Sequence, residues 1–177
     1  MHYDVIVVGA GPAGLFASIA AARSSVRVLL LEAMKSGGRK LLISGSGQCN
    51  LTHSGTVSEL LDHYALAGSR RQKECSRFLK TALYSFSNSD LEQFFTERGL
   101  SLEYCENGKL FPVSRRARDV LDVLLNEILV LGVTQRCSCR VHTVKKDTVF
   151  YVSTDDGQTQ FSSKALVLAS GGSSYPA

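Results

Sequence analysis

The stretch DVIVVGAGPAGL, residues 4–15, decides the fold of this 177-residue chain. Residues 3–8, YDVIVV, form a continuous run rich in β-branched residues, which is typical of a strand buried on both faces of a parallel sheet. The alanine-rich run LFASIAAARS that follows the glycines predicts a helix. Glycines and a proline interrupt the apolar run and no basic segment precedes it, so we expect neither a signal peptide nor a membrane span here.

The glycines have the spacing Gly9-x-Gly11-x-x-Gly14, which indicates dinucleotide binding when a strand precedes it and a helix follows. Gly9 permits a tight turn, Gly11 lets the backbone approach a pyrophosphate, and Gly14 lets helix and strand pack closely. Pro12 and Ala13 lie at the predicted start of the helix, whose unpaired N–H groups favour phosphate. The alternative is a glycine-rich turn that binds no ligand.

A second buried strand, residues 26–32, completes a βαβ unit and ends at Glu32. Glu32 lies 18 residues after Gly14, close to the spacing of the acidic residue in dinucleotide-binding proteins. A carboxylate at this position accepts hydrogen bonds from ribose hydroxyls and repels a 2′-phosphate.

The next stretch, SGGRKLLISGSGQCNLTH at residues 36–53, is rich in glycine and basic, and we predict a loop that wraps a cofactor. Two features favour FAD over NAD. The βαβ unit stands at the start of the sequence, and its second strand leads into this loop instead of another βαβ repeat. A simple NAD-dependent dehydrogenase remains as an alternative.

The rest of the chain alternates helical and strand patterns. Helices are predicted over residues 56–67, 72–86, 88–98 and about 115–131. Glu106-Asn107-Gly108 predicts a hairpin turn between two strands. Strands are predicted over 133–144, 147–154 and 158–163, with a turn at 155–157, and a last buried strand, ALVLAS, covers 165–170.

Charge and cysteine content narrow the function classes. The net charge is +4, and the basic clusters (residues 70–73, 115–118 and 145–146) are short and not interleaved with aromatic residues. We interpret them as solvated faces and expect neither a nucleic-acid nor a membrane partner. The five cysteines form no CxxC motif, which predicts reduced thiols in the cytoplasm and no metal site.

Four segments together resemble a bacterial NAD(P)/FAD-dependent oxidoreductase family, the one containing aminoacetone-oxidase-like and bile-acid flavin-reductase (BaiN-like) flavoproteins. They are DVIVVGAGPAGL, GGRKLLISGSGQCNLT, GKLFPVSRRARDVLDVLL and LVLASGGSSYP. The resemblance implies an α/β, Rossmann-like FAD-binding domain of the glutathione-reductase type, with a βαβ start, a helical insertion and a β-meander. It implies an FAD-dependent oxidoreductase whose flavin transfers hydride or electrons, with NAD(P)H as a transient donor.

The resemblance also implies a set of cofactor contacts. The three motif glycines would hold the FAD pyrophosphate and Glu32 the adenosine ribose. Arg39 and Lys40 would offset the charge of the pyrophosphate or of the flavin. The remaining implied contacts are Ser44, Gly45, Gly47, Cys49 and Asn50 beside the flavin, Val141 at the adenine, and Ala169, Ser170 and Gly171 at a second backbone approach.

Each implied contact has a simpler alternative. Arg39 and Lys40 could be solvated charges, Asn50 could hold only its own turn, and Val141 could be core. Cys49 is expected to be a packed small residue, because a dithiol mechanism against the flavin needs two cysteines and this loop has one. A proton-transfer role for His53 is a further hypothesis.

The chain departs from the family pattern at a few positions. Around Ser25 the family commonly has glycine, and in its loop GGGRCN the present chain has Ser46 and Gln48. Position 170 is serine where the family has threonine.

Family members are longer, so we expect an N-terminal portion that is incomplete at its C-terminus, without a second domain or a C-terminal FAD segment. The expected parts are 1–53 (βαβ and flavin loop), 54–132 (helices and hairpin) and 133–177 (meander and last parallel strand). We expect a small-molecule substrate and a second chain or C-terminal half as partner, and we assign no catalytic acid or base. The alternative function is a non-catalytic FAD- or ADP-binding remnant.

Overall fold

The computed structural model describes residues 1–64, 70–155 and 160–172. The chain forms two compact units, residues 1–42 with 121–177 and residues 43–120. The strands are β1 (His2–Val8), β2 (Val28–Leu31), β3 (Thr52–His53), β4 (Leu102–Tyr104), β5 (Lys109–Pro112), β6 (Thr134–Arg136), β7 (Val141–Lys146), β8 (Phe150–Thr154) and β9 (Gln160–Leu168). The helices are α1 (Pro12–Ala22), α2 (Arg39–Ile43), α3 (Val57–Asp62), α4 (Arg70–Ser85), α5 (Asn88–Thr96) and α6 (Ala117–Val130).

A six-stranded sheet in the order β6-β2-β1-β9-β8-β7 forms the first unit. β6, β2, β1 and β9 are parallel, and β8 and β7 are antiparallel to their neighbours. Ile6 in β1 pairs with Leu29 on one side and with Leu166 on the other. This arrangement has the βαβ start and the β-meander of the predicted Rossmann-type fold, so the predicted fold class is confirmed.

The core of the first unit explains why β1 is apolar over residues 5–8. Ile6 and Val7 point to opposite faces of the sheet, and both are 0% exposed. On one face Ile6 packs in a cluster with Val152 and Phe161 of the meander. Helix α1 contacts β1 and β2 and buries Leu15. Each such side chain contributes about 1.5–3 kcal/mol by leaving water, so burial on both faces fixes β1 at the centre of the sheet.

The second unit contains a three-stranded antiparallel sheet in the order β3-β5-β4. The predicted hairpin at Asn107 and Gly108 is confirmed, and Gly108 has a φ of +77°. Helix α5 begins after Ser87, whose hydroxyl and backbone N–H complete a capping box with Asp90. Phe94, Phe95 and Leu110 are buried in this unit.

Two predictions about the strands are wrong. The single strand expected over residues 133–144 is two strands, β6 and β7, because Ser138 takes a left-handed φ of +51° between them. The two strands expected at 158–163 and 165–170 are one strand, β9, which pairs with β8 at its start and with β1 along its length. Most of the expected turn at 155–157 lies outside the described residues.

The stretch at residues 36–53 is more ordered than the predicted loop. It contains the short helix α2, a tight turn at Ser44–Gly47 and the two residues of β3. The first expected helix, 56–67, is shorter, because α3 ends at Asp62. The other predicted helices are present with shifted ends.

Candidate functional site

The turn between β1 and α1 is built from three glycines, two of which the protein itself requires. Gly9 has a φ of +102°, and a Cβ there would collide with the backbone of Ala169. A Cβ at Gly14 would collide with the carbonyl oxygen of Gly9. Gly9 and Gly14 therefore allow the turn and the close packing of helix and strand, as the motif predicts.

Gly11 is different, because neither its conformation nor its packing requires glycine. Its φ is −76°, and a Cβ built on it meets nothing within 4 Å. Gly11 directly precedes α1, where Pro12 is the first residue, and in this described segment no side-chain hydrogen bond caps the helix and no acidic residue lies in its first turn. The N–H groups of the first turn lack intrahelical acceptors. The open space at Gly11 and these donors fit a pyrophosphate bound at the helix N-terminus.

Glu32 connects the end of β2 to the glycine turn. Its Oε2 accepts a hydrogen bond from the N–H of Ala10 at 2.7 Å, and its Oε1 accepts one from the N–H of Met34 at 2.9 Å. Each carboxylate oxygen can accept a further bond, so the half-buried Glu32 still has capacity for ribose hydroxyls. This structural role of Glu32 has no signal in the sequence, because no local pattern reports a hydrogen bond across 22 residues.

The segment after β9 lies against the glycine turn. The N–H of Ala169 donates to the carbonyl oxygen of Val8 at 2.8 Å, and the Ala169 backbone occupies the space beside Gly9. Ser170 and Gly171 are exposed, and Gly171 has a φ of +80°. The structure thus brings the predicted segment 169–171 to the predicted pyrophosphate site.

The two basic residues of α2 differ in their surroundings. Lys40 Nζ donates a hydrogen bond to the carbonyl oxygen of Gly172, which places its charge beside the segment after β9. Arg39 is exposed. The geometry therefore gives Lys40 a positioning role, and its contact with a cofactor stays a prediction.

Val141 begins β7, and its side chain packs against the cluster that contains Ile6 and Phe161. This is the core role that we considered as the alternative. A backbone contact from Val141 to adenine stays a prediction.

The other predicted contacts lie in the second unit, within the turn that follows α2. Gly45 and Ser46 both have a φ of +56°, and Gly47 has a φ of +85°. The N–H of Cys49 donates to the carbonyl oxygen of Ser44 at 3.0 Å and closes the turn. The structure thus brings these predicted residues together with one another.

Cys49 and Asn50 have structural roles in this turn. Cys49 is 1% exposed, and burial raises the pKa of its thiol to about 11, so it stays protonated at neutral pH. With its amide oriented to satisfy its neighbours, Asn50 donates to the carbonyl oxygens of Thr52 at 2.9 Å and Leu110 at 3.2 Å. Asn50 therefore holds its own turn, which leaves its carbonyl oxygen for further contacts.

His53, the hypothetical proton-transfer residue, has both ring nitrogens occupied. Nδ1 lies 2.9 Å from the carbonyl oxygen of Ser54, and Nε2 lies 2.7 Å from that of Asn107. Buried Asn88 donates from its amide to the carbonyl oxygens of His53 and Gly55. These contacts fix β3, and they argue against His53 as a proton shuttle.

The fold and the glycine turn together define a dinucleotide-binding domain of the flavoprotein type. The family described as "HI0933-like protein Rossmann domain" matches residues 3–177, and the chain belongs to this family. Among the described residues, no helix has both the length and the apolar character needed for a membrane crossing.

Two curated relatives match almost the whole chain. One is the ribosomal RNA dihydrouridine synthase of Escherichia coli (strain K12), 33% identical over 99% of this chain and 41% of its own length. Another is the 3-dehydro-bile acid delta(4,6)-reductase of Clostridium scindens, 32% identical over 94% of this chain and 38% of its own length. The chain therefore spans about two-fifths of the length of these relatives.

Among solved structures, the open conformation of a flavocytochrome c3 fumarate reductase is similar with a TM-score of 0.73 and 22% identity, over 97% of this chain and 34% of that one. This likeness shows the fold. Together the comparisons confirm the predicted family resemblance, the fold and FAD as the cofactor. The residue-level contacts with FAD stay predictions.

Proposed function

We propose that this chain is the FAD-binding part of a reductase that adds hydrogen across a carbon–carbon double bond conjugated with a carbonyl group. NAD(P)H serves as the transient electron donor in this proposal. The substrate gains a hydride at one carbon and a proton at the other, so two hydrogens are added in total. The observation that carries the proposal is the chemistry shared by the names of the two relatives.

By its name, the first relative makes dihydrouridine, which is uridine with two added hydrogens. By its name, the second relative reduces double bonds that begin at carbons 4 and 6 of a 3-dehydro bile acid, whose keto group is at carbon 3. In uracil and in a 4-en-3-one the reducible double bond is conjugated with a carbonyl. One chemical step therefore accounts for both names, although the two molecules differ greatly in size.

The residues of this chain would bind and orient the cofactor for that step. The open space at Gly11 and the N–H groups of the first turn of α1 would hold the pyrophosphate. Glu32 would accept hydrogen bonds from the ribose while it keeps the turn in place through Ala10. Bound FAD would supply the site that accepts and donates hydride.

The proposal includes a small-molecule substrate, no membrane partner and a cytoplasmic location. The five cysteines of the described residues are all free thiols, which agrees with a reducing compartment. The rest of the substrate site would come from a further segment of the protein or from a second chain. A uracil base in RNA is a second candidate substrate, favoured by the name of the first relative.

The test uses the chain together with the further segment or second chain that would complete the substrate site, loaded with FAD in the absence of oxygen. NADPH or NADH is added until the visible flavin absorbance is lost, and 2-cyclohexenone is then added. We expect the flavin absorbance to return and cyclohexanone to form. Cyclohexanone in place of the enone is the matched control and should not restore the absorbance. A flavin that is reduced but never reoxidised by the enone, or by a uridine-containing oligonucleotide, would contradict the proposal.

A further inference from the structure

The second unit contains an open cleft of about 430 Å³, and Asn50 is the one predicted cofactor contact among the described residues that line it. Its polar lining includes Thr52, His53, His63, Tyr64 and Lys109. Its volume lies within the range of about 300–1,000 Å³ that is usual for small-molecule sites.

His53 forms a rigid wall of this cleft. Its two ring nitrogens face the carbonyl oxygens of Ser54 and Asn107, at 2.9 and 2.7 Å. Carbonyl oxygens only accept hydrogen bonds, so both contacts are hydrogen bonds when the ring carries both protons. A Cβ at Gly108 would lie 2.8 Å from Nε2, which means that the backbone packs directly on the ring.

A second histidine and a lysine accompany His53. The ring of His63 lies 5.0 Å from that of His53, measured between centroids. Lys109 pairs with His53 across the antiparallel strands β3 and β5, so both side chains lie on one face of the sheet. The cleft therefore concentrates one lysine and two histidines on adjacent walls.

The nearby acidic group, Glu59, is not among the residues that line the cleft, and its carboxylate is engaged with Thr56. Glu59 accepts from the N–H of Thr56 at 2.6 Å and from its hydroxyl at 2.9 Å, as part of the capping box of α3. These bonds to Thr56, and more weakly the charges of His53 and His63, lower the pKa of Glu59. Within the described residues, no Asp or Glu lines the cleft.

The arrangement favours an anion and argues against a metal ion. Both nitrogens of His53 lie within hydrogen-bond distance of carbonyl oxygens, so neither is directed at a metal ion in the cleft. Lysine ammonium, protonated histidine, threonine hydroxyl and tyrosine hydroxyl all donate hydrogen bonds to oxyanions. Leu51 and Leu60 add apolar surface for a carbon chain that bears the anion.

We propose that this cleft binds the oxyanion of a small molecule, either a carboxylate or a phosphate group. The identification of that molecule as the substrate rests on the proposed function, whereas the binding of the oxyanion does not. Lys109 supplies the fixed charge, and His63 and Thr52 supply hydrogen bonds. In this role Lys109 and His63 are binding residues of the second unit.

The test is a histidine NMR titration of the full chain near pH 6, where histidine side chains carry charge. The Cε1–Hε1 signals of the four histidines are followed while inorganic phosphate, or separately butyrate, replaces chloride at constant ionic strength. We expect saturable shifts of His53 and His63 with a dissociation constant on the order of 1 mM. His2 and His142 lie in the first unit and serve as internal controls.

Matched lysine variants show whether the cleft causes the shifts. Lys109→Gln should weaken binding at least about fivefold, because it removes a charged donor. Lys145→Gln removes the same charge from an exposed position in β7 and should leave binding unchanged. Lys109→Arg keeps the charge, so it should retain binding and covers the case in which Lys109→Gln fails to fold.

Each result decides the proposal. Shifts with phosphate alone or butyrate alone support it and identify the source of the oxyanion, and shifts with both support the shared chemistry. No saturable shift with either ion, equal shifts at His2 and His142, or an equal loss in Lys145→Gln would overturn it. If the shifts persist while the enone is not reduced, the proposed function fails and the anion site stands.

Discussion

The carboxylate of Glu32 accepts a hydrogen bond from the N–H of Ala10, with 2.7 Å between Oε2 and the nitrogen. This contact joins the end of the second strand to the middle of the glycine turn. The residue expected to bind the ribose thus also shapes the turn expected to bind the pyrophosphate. A change at Glu32 should therefore affect the stability of the protein as well as its affinity for FAD.

Glu32→Gln tests this dual role. A glutamine amide has one oxygen, so it can accept from either Ala10 or Met34 but faces the other N–H with a donor. We expect a loss of about 1–3 kcal/mol in the free energy of unfolding and an affinity for FAD that is about tenfold weaker. Denaturant unfolding and a fluorescence titration with FAD measure the two effects.

The control for Glu32 is Glu106→Gln, which removes the same charge from an exposed position in the hairpin. It should change neither quantity. If Glu32→Gln alters FAD affinity without altering stability, the structural half of its assigned role is wrong.

Adding a methyl group should affect the stability of the protein differently at Gly11 and at Gly14. Gly11→Ala meets no atom within 4 Å and keeps an ordinary φ, so its free energy of unfolding should stay within about 0.5 kcal/mol of the wild type. Gly14→Ala collides with the Gly9 carbonyl oxygen and should lose about 3 kcal/mol. Thermal unfolding measures both, and equal losses at Gly11 and Gly14 would contradict the geometry.

Two serines stand where the resembled family commonly has glycine, and both are strained. Ser25 has a φ of +57° and Ser46 a φ of +56°. We expect Ser25→Gly and Ser46→Gly each to raise the free energy of unfolding by about 0.5–1 kcal/mol, because glycine adopts this conformation without steric cost. Since the two residues lie in different units, the gains should add.

Ser89→Gly is the matched control for these two variants. Ser89 is exposed within α5, where glycine is unfavourable, so this variant should lose about 0.5 kcal/mol. Urea unfolding measures all three variants. If all three change the free energy of unfolding in the same direction, backbone strain at Ser25 and Ser46 is not the cause of the changes.

Cys49 should be the least reactive of the cysteines. It is buried, and the pKa of its thiol is raised to about 11 from 9.0, so little thiolate forms at neutral pH. Iodoacetamide labelling of the folded protein, followed by peptide mass spectrometry, should modify the partly exposed Cys75 well before Cys49. Because the folded state keeps the proton, the contribution of Cys49 to stability is present below pH 9.0 and is lost as the pH rises through about 11. Rapid labelling of Cys49 at neutral pH would reopen a redox role for it.

The parts of the fold that follow from local patterns were predictable. The buried runs of β1 and β2, the glycine spacing between them and the Asn107-Gly108 hairpin each have a short-range physical cause. Ser138 shows the limit, since its left-handed conformation divides a continuous strand pattern in two and has no signal in the sequence. The continuity of β9 was equally hidden, because serines at 162 and 163 look like an interruption.

The positions of site residues were predictable where a motif determines the backbone geometry. The hydrogen-bond partners of side chains were less predictable. Gly9, Gly14 and residues 169–171 lie together as expected. The hydrogen bonds of Asn50 to its own turn, and of Lys40 to the Gly172 carbonyl oxygen, depend on tertiary contacts that residue spacing does not encode. For the same reason the cleft at His53 and His63 was not foreseen.

The most direct test of the account is whether the chain retains FAD through the glycine turn. Wild type and Gly11→Ala are incubated with FAD and desalted, and their visible absorption spectra and melting temperatures are compared. We expect flavin absorbance in the wild type and almost none in Gly11→Ala, with equal melting temperatures in the absence of FAD. A colourless wild type that also shows no FAD-dependent rise in melting temperature, or a Gly11→Ala variant that retains as much flavin as the wild type, would contradict the account.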